Sequence, residues 1–427
     1  MKICVVALGK IGLPLAVQFA SKGHTVLGAD VSESTVRTVN EGLVPFPGET
    51  DLDVKLKQAV GAGLLTATTD TAAAVAESDA VVVVVPLFVD ADSKPDFGWM
   101  ESATRDIARG LRPGTLVSYE TTLPVGTTRD RWAPLLQEVS GLVAGQDFDL
   151  VFSPERVLTG RVFADLRKYP KLVGGVNEAS ARRGVEFYEA VLDFDERPDL
   201  DRPNGVWDLG SAEAAELAKL AETTYRDVNI GLANQFARFA DTLDIDVNRV
   251  IDACNTQPYS HIHRPGIAVG GHCIPVYPRL YLWNDPAATV VQAARNANAG
   301  MPSYAVDLLG AAIGDLTGLS VLVLGASYRG GVKETAFSGV FAVVDELKKR
   351  GATPYVSDPM YSIAELTGLG LPAWNGEAVR AAIVQADHAE YRTFTDADLP
   401  GVEVVVDGRR VTDPERLGGI RRIVIGG

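Results

Sequence analysis

The chain has 427 residues, 46% of them hydrophobic and 22% charged, which is the make-up of a globular protein and not of a disordered, collagenous or coiled-coil one. Forty basic against fifty-five acidic side chains leave a net charge of −15, and this argues against nucleic acid as a partner, because duplex-binding proteins present a basic face. Three cysteines, Cys4, Cys254 and Cys273, are too few and too unpaired for a disulfide framework and fit a reducing compartment.

The length predicts about three domains. Residues 3–8 form an unbroken apolar run, the signature of a parallel strand buried on both faces. Lys10 interrupts that run early and no small-residue cleavage site follows, so it does not read as a secretion signal. A helix is predicted over 12–21, a strand over 25–29 ending at Asp30, and further strands over 80–85, 114–119 and 150–153. The longest apolar run, 80–88, is too short to span a bilayer and contains Pro86. A soluble cytoplasmic protein with no membrane partner is expected. Residues 211–241 read as one long helix, on the order of 45 Å, with Leu217, Leu220, Ala221, Thr224, Val228, Leu232 and Phe236 as one buried stripe. Residues 256–278 read as an ordered loop rich in Pro, Gly and His. A second α/β unit starts near Leu319, with strands over 320–324, 354–357, 402–406 and 423–425 and a glycine-bearing turn over 325–331. The expected fold is α/β: two doubly wound, Rossmann-like domains with parallel sheets, joined by the long helix. The expected domains are 1–200, 201–300 and 301–427.

Ala7-Leu8-Gly9-Lys10-Ile11-Gly12 is a G-x-G-x-x-G fingerprint with alanine in first place. Gly9 lets a pyrophosphate approach the backbone, Gly12 lets the helix pack on the strand, and the helix N-terminus receives the phosphates. Asp30, about twenty residues on, is placed to accept from a ribose hydroxyl and favours NAD over NADP. The competing reading is a glycine-tight turn with no ligand. Lys10 taken alone reads as a solvated turn residue.

Gly270-Gly271-His272-Cys273 is the sharpest local feature. Paired glycines let backbone and substrate come close to a thiol, and cysteine forms thiohemiacetals and thioesters readily. Taken alone, Cys273 reads as a buried structural thiol. His261, His263, His272 and Cys254 match no zinc spacing, so no metal is expected. Lys219 can be half of an i,i+3 pair with Glu216 or a cation that stabilises an oxyanion. Glu155, in Ser153-Pro154-Glu155-Arg156, can be a helix-start carboxylate or a general base at a strand end; spacing alone does not choose.

Taken in order, these motifs resemble those of the nucleotide-sugar 6-dehydrogenases, the family of UDP-glucose dehydrogenase and UDP-N-acetylmannosamine dehydrogenase, over nearly the whole chain. Glu120-Thr121-Thr122, Ala218-Lys219-Leu220-Ala221-Glu222, Tyr225-Arg226-Asp227-Val228-Asn229 and Asp407-Gly408-Arg409-Arg410-Val411 extend the match. Pro265-Gly266 through Pro275 looks most like the branch acting on UDP-N-acetylhexosamines. The resemblance implies an N-terminal NAD domain, a central helix that makes a homodimer, and a C-terminal domain that binds the UDP-sugar. It implies oxidation of the sugar C6 alcohol to the acid, with Cys273 as nucleophile, Lys219 stabilising the oxyanion and Glu155 activating water. Gly9, Lys10, Ile11, Gly12, Asp30, Pro86, Thr121 and Lys333 fall at cofactor positions. Arg156, Arg264, Gly271, Tyr328, Arg329 and Arg410 fall at substrate positions, where arginines can clamp a diphosphate.

The chain departs from the family pattern in places. Thr223 stands for an asparagine four residues after the lysine, and Tyr277 for an aspartate four residues after the cysteine; both fall at catalytic positions, and either Lys219 and a water suffice for the first proton transfer, or Tyr277 contributes its hydroxyl, or the natural substrate differs. Pro86-Leu87-Phe88 replaces Pro-Thr-Pro, and Lys333 replaces the arginine of Arg-Glu-Ser. The expected substrate is UDP-N-acetylmannosamine or UDP-N-acetylglucosamine. The alternatives are UDP-glucose, GDP-mannose, a two-electron hydroxyacid-type dehydrogenase, and a non-catalytic nucleotide-sugar-binding protein.

Overall fold

The computed structural model describes residues 1–90 and 92–427. The chain forms two compact units, Met1–Glu222 and Thr223–Gly427.

In the first unit the strands are β1 (Lys2–Val6), β2 (Thr25–Ala29), β3 (Leu65–Thr68) and β4 (Ala80–Val83), then a short hairpin of β5 (Phe88–Val89) and β6 (Pro95–Asp96). They are followed by β7 (Leu116–Tyr119), β8 (Asp149–Phe152), β9 (Lys171–Gly175) and β10 (Val206–Asp208). The main sheet has the order β10-β9-β8-β7-β4-β1-β2-β3. Strand order reverses between β1 and β4, and in such sheets the crevice at the carboxyl ends beside the reversal is where a dinucleotide sits. Strands β4 and β7 are buried at every residue, which is why they read as plain apolar runs. The sheet departs from the parallel arrangement predicted: β9 runs antiparallel to β8, paired through Val151 with Gly175 and Phe152 with Gly174. An antiparallel addition toward one edge of a parallel sheet is common in doubly wound folds.

The helix Gly12–Ser21 matches its predicted bounds and packs its apolar side into the unit's core with Ile3, Val5 and Phe187. Its first residue must be glycine. A Cβ on Gly12 would lie 1.9 Å from the Ala7 carbonyl oxygen and 2.7 Å from a Val84 methyl.

The second unit holds β11 (Ser320–Leu324), β12 (Thr353–Ser357), β13 (Ala381–Val384), β14 (Val404–Asp407) and β15 (Arg421–Val424), all parallel, in the order β12-β11-β13-β14-β15. Side-chain alternation divides β11 between two cores: Val321 and Val323 enter one, Leu322 and Leu324 the other.

The long helix runs Ala212–Asp241, as predicted. Its buried face is not the predicted one. Leu220 and Thr224 are buried as predicted and Val228 is half-buried, but Leu217, Ala221, Leu232 and Phe236 are exposed, and Glu216, Lys219, Thr223, Asp227 and Asn234 are buried instead. The reason is local hydrogen bonding. Glu216 takes the Gly126 N–H at 2.6 Å and both the N–H and hydroxyl of Thr128, and Asn234 takes the Gly266 N–H at 2.9 Å. Buried backbone donors must be paired, so acceptors at 216 and 234 are buried among the small and apolar residues Ala215, Leu220, Ala233 and Ala237. Another small difference lies downstream: the loop expected to reach residue 278 ends two residues earlier, at Val276, where the helix Tyr277–Asn284 begins.

Candidate active site

In the first unit the candidate residues gather at the carboxyl ends of β1, β2, β4, β7 and β8. The turn after β1 starts with Ala7 at φ 76°, in the left-handed region that the fingerprint normally gives to glycine, at a cost of about 1–2 kcal/mol for a side chain. Gly9 has nothing within 4 Å of the place its Cβ would occupy, so the backbone is bare on that side. Ile11 is the N-cap of the following helix and no side chain caps it. Asp30, just after β2, accepts from Leu8 N–H at 2.8 Å and from Ser32 N–H at 2.9 Å, which fixes its carboxylate beside the turn. An open glycine, a helix start with no side-chain cap and a fixed acidic group fit the pyrophosphate and ribose of NAD. Lys10 and Pro86 are exposed next to this turn and after β4. The Thr121 hydroxyl, after β7, donates to the Val85 carbonyl at 2.7 Å and so ties together the two loops that flank the strand reversal.

Glu155 follows β8. Its carbonyl accepts from Lys219 Nζ at 2.6 Å, Oε1 accepts from Arg156 N–H at 2.6 Å, and Oε2 accepts from Lys171 Nζ at 3.1 Å. The structure thus brings Glu155 and Lys219 together. Arg156 is held by Glu222, at 2.8 and 3.3 Å, and by the Pro170 carbonyl.

In the second unit the cysteine loop lies against the turn after β11. Gly271 has φ 91°, and a Cβ there would meet the Tyr328 ring at 3.2 Å; one on Gly270 would lie 2.5 Å from Tyr328 Cβ. The paired glycines are therefore required by contact with Tyr328 as well as by backbone shape. Gly271 N–H donates to Ala336 O at 2.9 Å and Ile267 N–H to Gly408 O at 3.0 Å. The Cys273 carbonyl accepts from Tyr277 N–H at 2.9 Å, and the Cys273 residue is exposed. Arg295, on the helix Thr289–Ala299, donates to the carbonyl of Ile274 at 3.1 Å and to Asp227 at 2.9 Å, which fixes the residue after the cysteine. Thr223 is buried.

Sheet order in this unit reverses between β11 and β13, and Tyr328, Arg329 and Arg410 follow strands at that end. Arg329 Nε lies 3.2 Å from the Tyr328 hydroxyl. The other expected substrate arginines are engaged: Arg410 pairs with both oxygens of Asp246 at 2.8 Å, and Arg264 pairs with Asp252 and with the Asn248 carbonyl. Lys333 pairs with Glu365 and lies over the Tyr361 ring. Arg409, next to Arg410, spends its Nε on the Gln385 carbonyl and brings NH1 within 3.0 Å of the Cβ position of Gly266 in the cysteine loop. Asp358, after β12, is the counterpart of Asp30, but it is buried and closed off: Oδ2 already takes Ala326 N–H, Ser327 N–H and His388 Nε2. The sheet of this unit therefore lacks the open ribose acceptor of the first.

Sequence reasoning missed Lys171, Tyr188, Arg295 and Arg409 as contributors. Lys171 gave one faint signal, a lysine opening the apolar strand Leu172-Val173.

Residues 1–192 match the NAD binding domain of the UDP-glucose/GDP-mannose dehydrogenase family, residues 213–299 its central domain and residues 322–414 its UDP binding domain. A UDP-N-acetyl-D-mannosamine dehydrogenase of Pyrococcus horikoshii is 32% identical, over 99% of this chain and 98% of its own. The solved structure of the UDP-D-ManNAc dehydrogenase from that organism superposes with a TM-score of 0.87 at 31% identity, covering 100% of this chain and 99% of that one. A UDP-glucose dehydrogenase from Pyrobaculum islandicum gives 0.84 at 28% identity, covering 100% and 97%. The chain belongs to the UDP-glucose/GDP-mannose dehydrogenase family and is an NAD-dependent nucleotide-sugar dehydrogenase.

Proposed function

We propose that the chain oxidises the C6 alcohol of UDP-N-acetylmannosamine to the uronic acid through a covalent intermediate on Cys273. The observation that carries this reading is the cysteine loop: an exposed thiol after two glycines packed on Tyr328, at the strand reversal of the second unit. The choice of sugar is supported by the names of the relatives similar over their full length.

Alcohol to acid is a four-electron change, and bound NAD supplies the hydride acceptor for two electrons at a time, so two NADH form per sugar. Cys273 adds its sulfur to the aldehyde carbon, and after the second oxidation it holds the acyl group as a thioester. Lys219 stabilises the developing oxyanion. Glu155 takes a proton from the water that hydrolyses the thioester. We assign the first proton transfer to Lys219 and a water, because Thr223 and Tyr277 stand where the family has asparagine and aspartate. Tyr328, Arg329 and Arg409 are assigned to the nucleotide sugar.

The chain also pairs with a second copy of itself through the helix Ala212–Asp241. Support comes from the exposed apolar row of Leu217, Tyr225, Leu232, Phe236 and Phe239, from 39% to 62% exposed on one helix.

The test is NADH stoichiometry with UDP-N-acetylmannosamine, UDP-N-acetylglucosamine, UDP-glucose and GDP-mannose in separate arms, for the wild type and for Cys273→Ser. Two NADH per sugar with the first sugar preferred, and no uronate from Cys273→Ser at unchanged NAD affinity, is the expected result. Uronate from the serine variant at the normal rate overturns the covalent route; preference for another sugar overturns the substrate assignment.

A further inference from the structure

A group of ionisable side chains is buried behind Glu155. Lys171, the first residue of β9, donates to Glu120 Oε2 at 2.7 Å and to Glu155 Oε2 at 3.1 Å. Its ammonium also lies 4.8 Å from the centre of the Tyr188 ring. Glu120 follows β7, and its other oxygen accepts from the Tyr188 hydroxyl at 2.6 Å; that hydroxyl lies 2.7 Å from Ser118 Oγ. The side chains of Glu120 and Lys171 are 0% and 4% exposed, while that of Glu155 is 11% exposed, so the group opens outward at Glu155.

We propose that Lys171 is a positioning residue for the hydrolytic step: its ammonium holds the Glu155 side chain in place as a carboxylate, with Glu120 as the buried counter-group behind it. The proposal rests on the reading of Glu155 given above. Arg156 N–H and Lys219 hold the backbone and one oxygen of the glutamate, and Lys171 is the charged group that reaches Glu155 Oε2 from another strand.

Charge balance supports this. Glu120 and Glu155 share the Lys171 ammonium, and burial out of water makes the deeper carboxyl the harder of the two to keep charged. Burial pushes the deeper Glu120 up to about 7 in spite of Lys171. Burial also opposes ionisation of Glu155, but the Lys171 charge and the Arg156 N–H outweigh it and hold that carboxyl below its usual range. Of the two carboxyls, Glu155 is the one held ionised, and it is the one placed to act as base. In the step served, the water oxygen bonds to the acyl carbon and the C–S bond breaks with its electron pair left on Cys273. Glu155 takes the water proton.

The experiment compares Lys171→Met, Lys171→Arg, the double variant Lys171→Met/Glu120→Gln and Glu155→Gln in the full-length protein. The readouts are the NADH burst, the steady-state rate and the mass of the acyl adduct on Cys273. Lys171→Met should keep the burst, lose about 100-fold in steady-state rate and accumulate the adduct. The arginine variant should recover at least tenfold of that loss. The double variant removes the Glu120 charge along with that of Lys171, and it should keep the burst and accumulate the adduct even where Lys171→Met alone fails to fold. Adduct accumulation in Glu155→Gln but in neither methionine variant overturns the role of Lys171 and leaves that of Glu155 standing. No accumulation in Glu155→Gln overturns both. Loss of burst and steady state together in a folded Lys171→Met shows a purely structural role and overturns the proposal.

Discussion

The ammonium of Lys219 donates to the backbone carbonyl of Glu155 at 2.6 Å, so one residue assigned to the oxidation steps anchors the residue assigned to hydrolysis. Their chemical duties still separate in time. Lys219→Met should lower kcat by about 10²–10³-fold and abolish the NADH burst, because the oxyanion forms before any NADH appears in quantity. Glu155→Gln should keep the burst and stall afterwards. Stopped-flow absorbance under single-turnover conditions distinguishes the two. An identical burst loss in both variants would show that the duties are not divided in this way.

Asp30 is held by Leu8 N–H on one oxygen and by Ser32 N–H on the other, so its carboxylate is already oriented before any ribose arrives. A hydrogen bond to a charged group is worth about 1.5–3 kcal/mol. Asp30→Ala should therefore weaken NAD binding about 10–100-fold while leaving UDP affinity within twofold. Fluorescence titration with each ligand checks it, and equal weakening of both would point to a folding defect.

Much of this was legible in the sequence because strands and helices packed in a core are built mainly from apolar residues at a recognisable period. The run at 320–324 and the helix at 12–21 have the predicted bounds for that reason, and Gly12 was legible because only a missing Cβ fits under the Ala7 carbonyl. Lys171, Glu120 and Tyr188 were not legible as a group. They are separated by 51 and 68 residues along the chain, and each reads alone as an ordinary residue near a strand end or on a helix. The long helix shows another gap. Its apolar period was visible, but periodicity does not reveal that Gly126, Thr128 and Gly266 present donors to the opposite face.

Of the two adjacent arginines after β14, Arg410 is neutralised by a bidentate pair with Asp246, and Arg409 has its guanidinium beside the cysteine loop. Burial works against the charge on Arg409, with Asp387 and Asp407 as its nearby opposite charges. A phosphate would relieve that burial cost. Arg409→Gln should raise the inhibition constant of UDP more than tenfold, and Arg410→Gln less than threefold. The reverse ranking would return the nucleotide contact to Arg410.

The apolar row on the helix Ala212–Asp241 predicts a change of mass. Leu232→Glu combined with Phe236→Glu should convert the protein from dimer to monomer at micromolar concentration, as read by sedimentation velocity. Both side chains are exposed within the chain, at 46% and 39%, so the folded monomer should survive the change. A wild-type protein already monomeric at that concentration would remove this role from the helix.

Asp358 predicts the acid response of the second unit. Burial opposes its charge, but the His388 ring nitrogen and the N–H groups of Ser327 and Met360 more than compensate, and its carboxyl lies at about 2 against an ordinary 3.8. A carboxyl lowered by folding contributes stability above its unfolded value and loses it as pH falls through the folded value. The contribution here is about 2 kcal/mol, present in full above about pH 4 and lost progressively toward pH 2. Asp358→Asn should therefore lower the melting temperature by about 4–8 °C at pH 7 for a unit of this size. The gap to wild type should shrink as the pH is taken from 4 toward 2. Melting curves by circular dichroism across that range check it, and a gap that stays constant with pH would show that packing at Asp358, not its charge, is what the substitution removes.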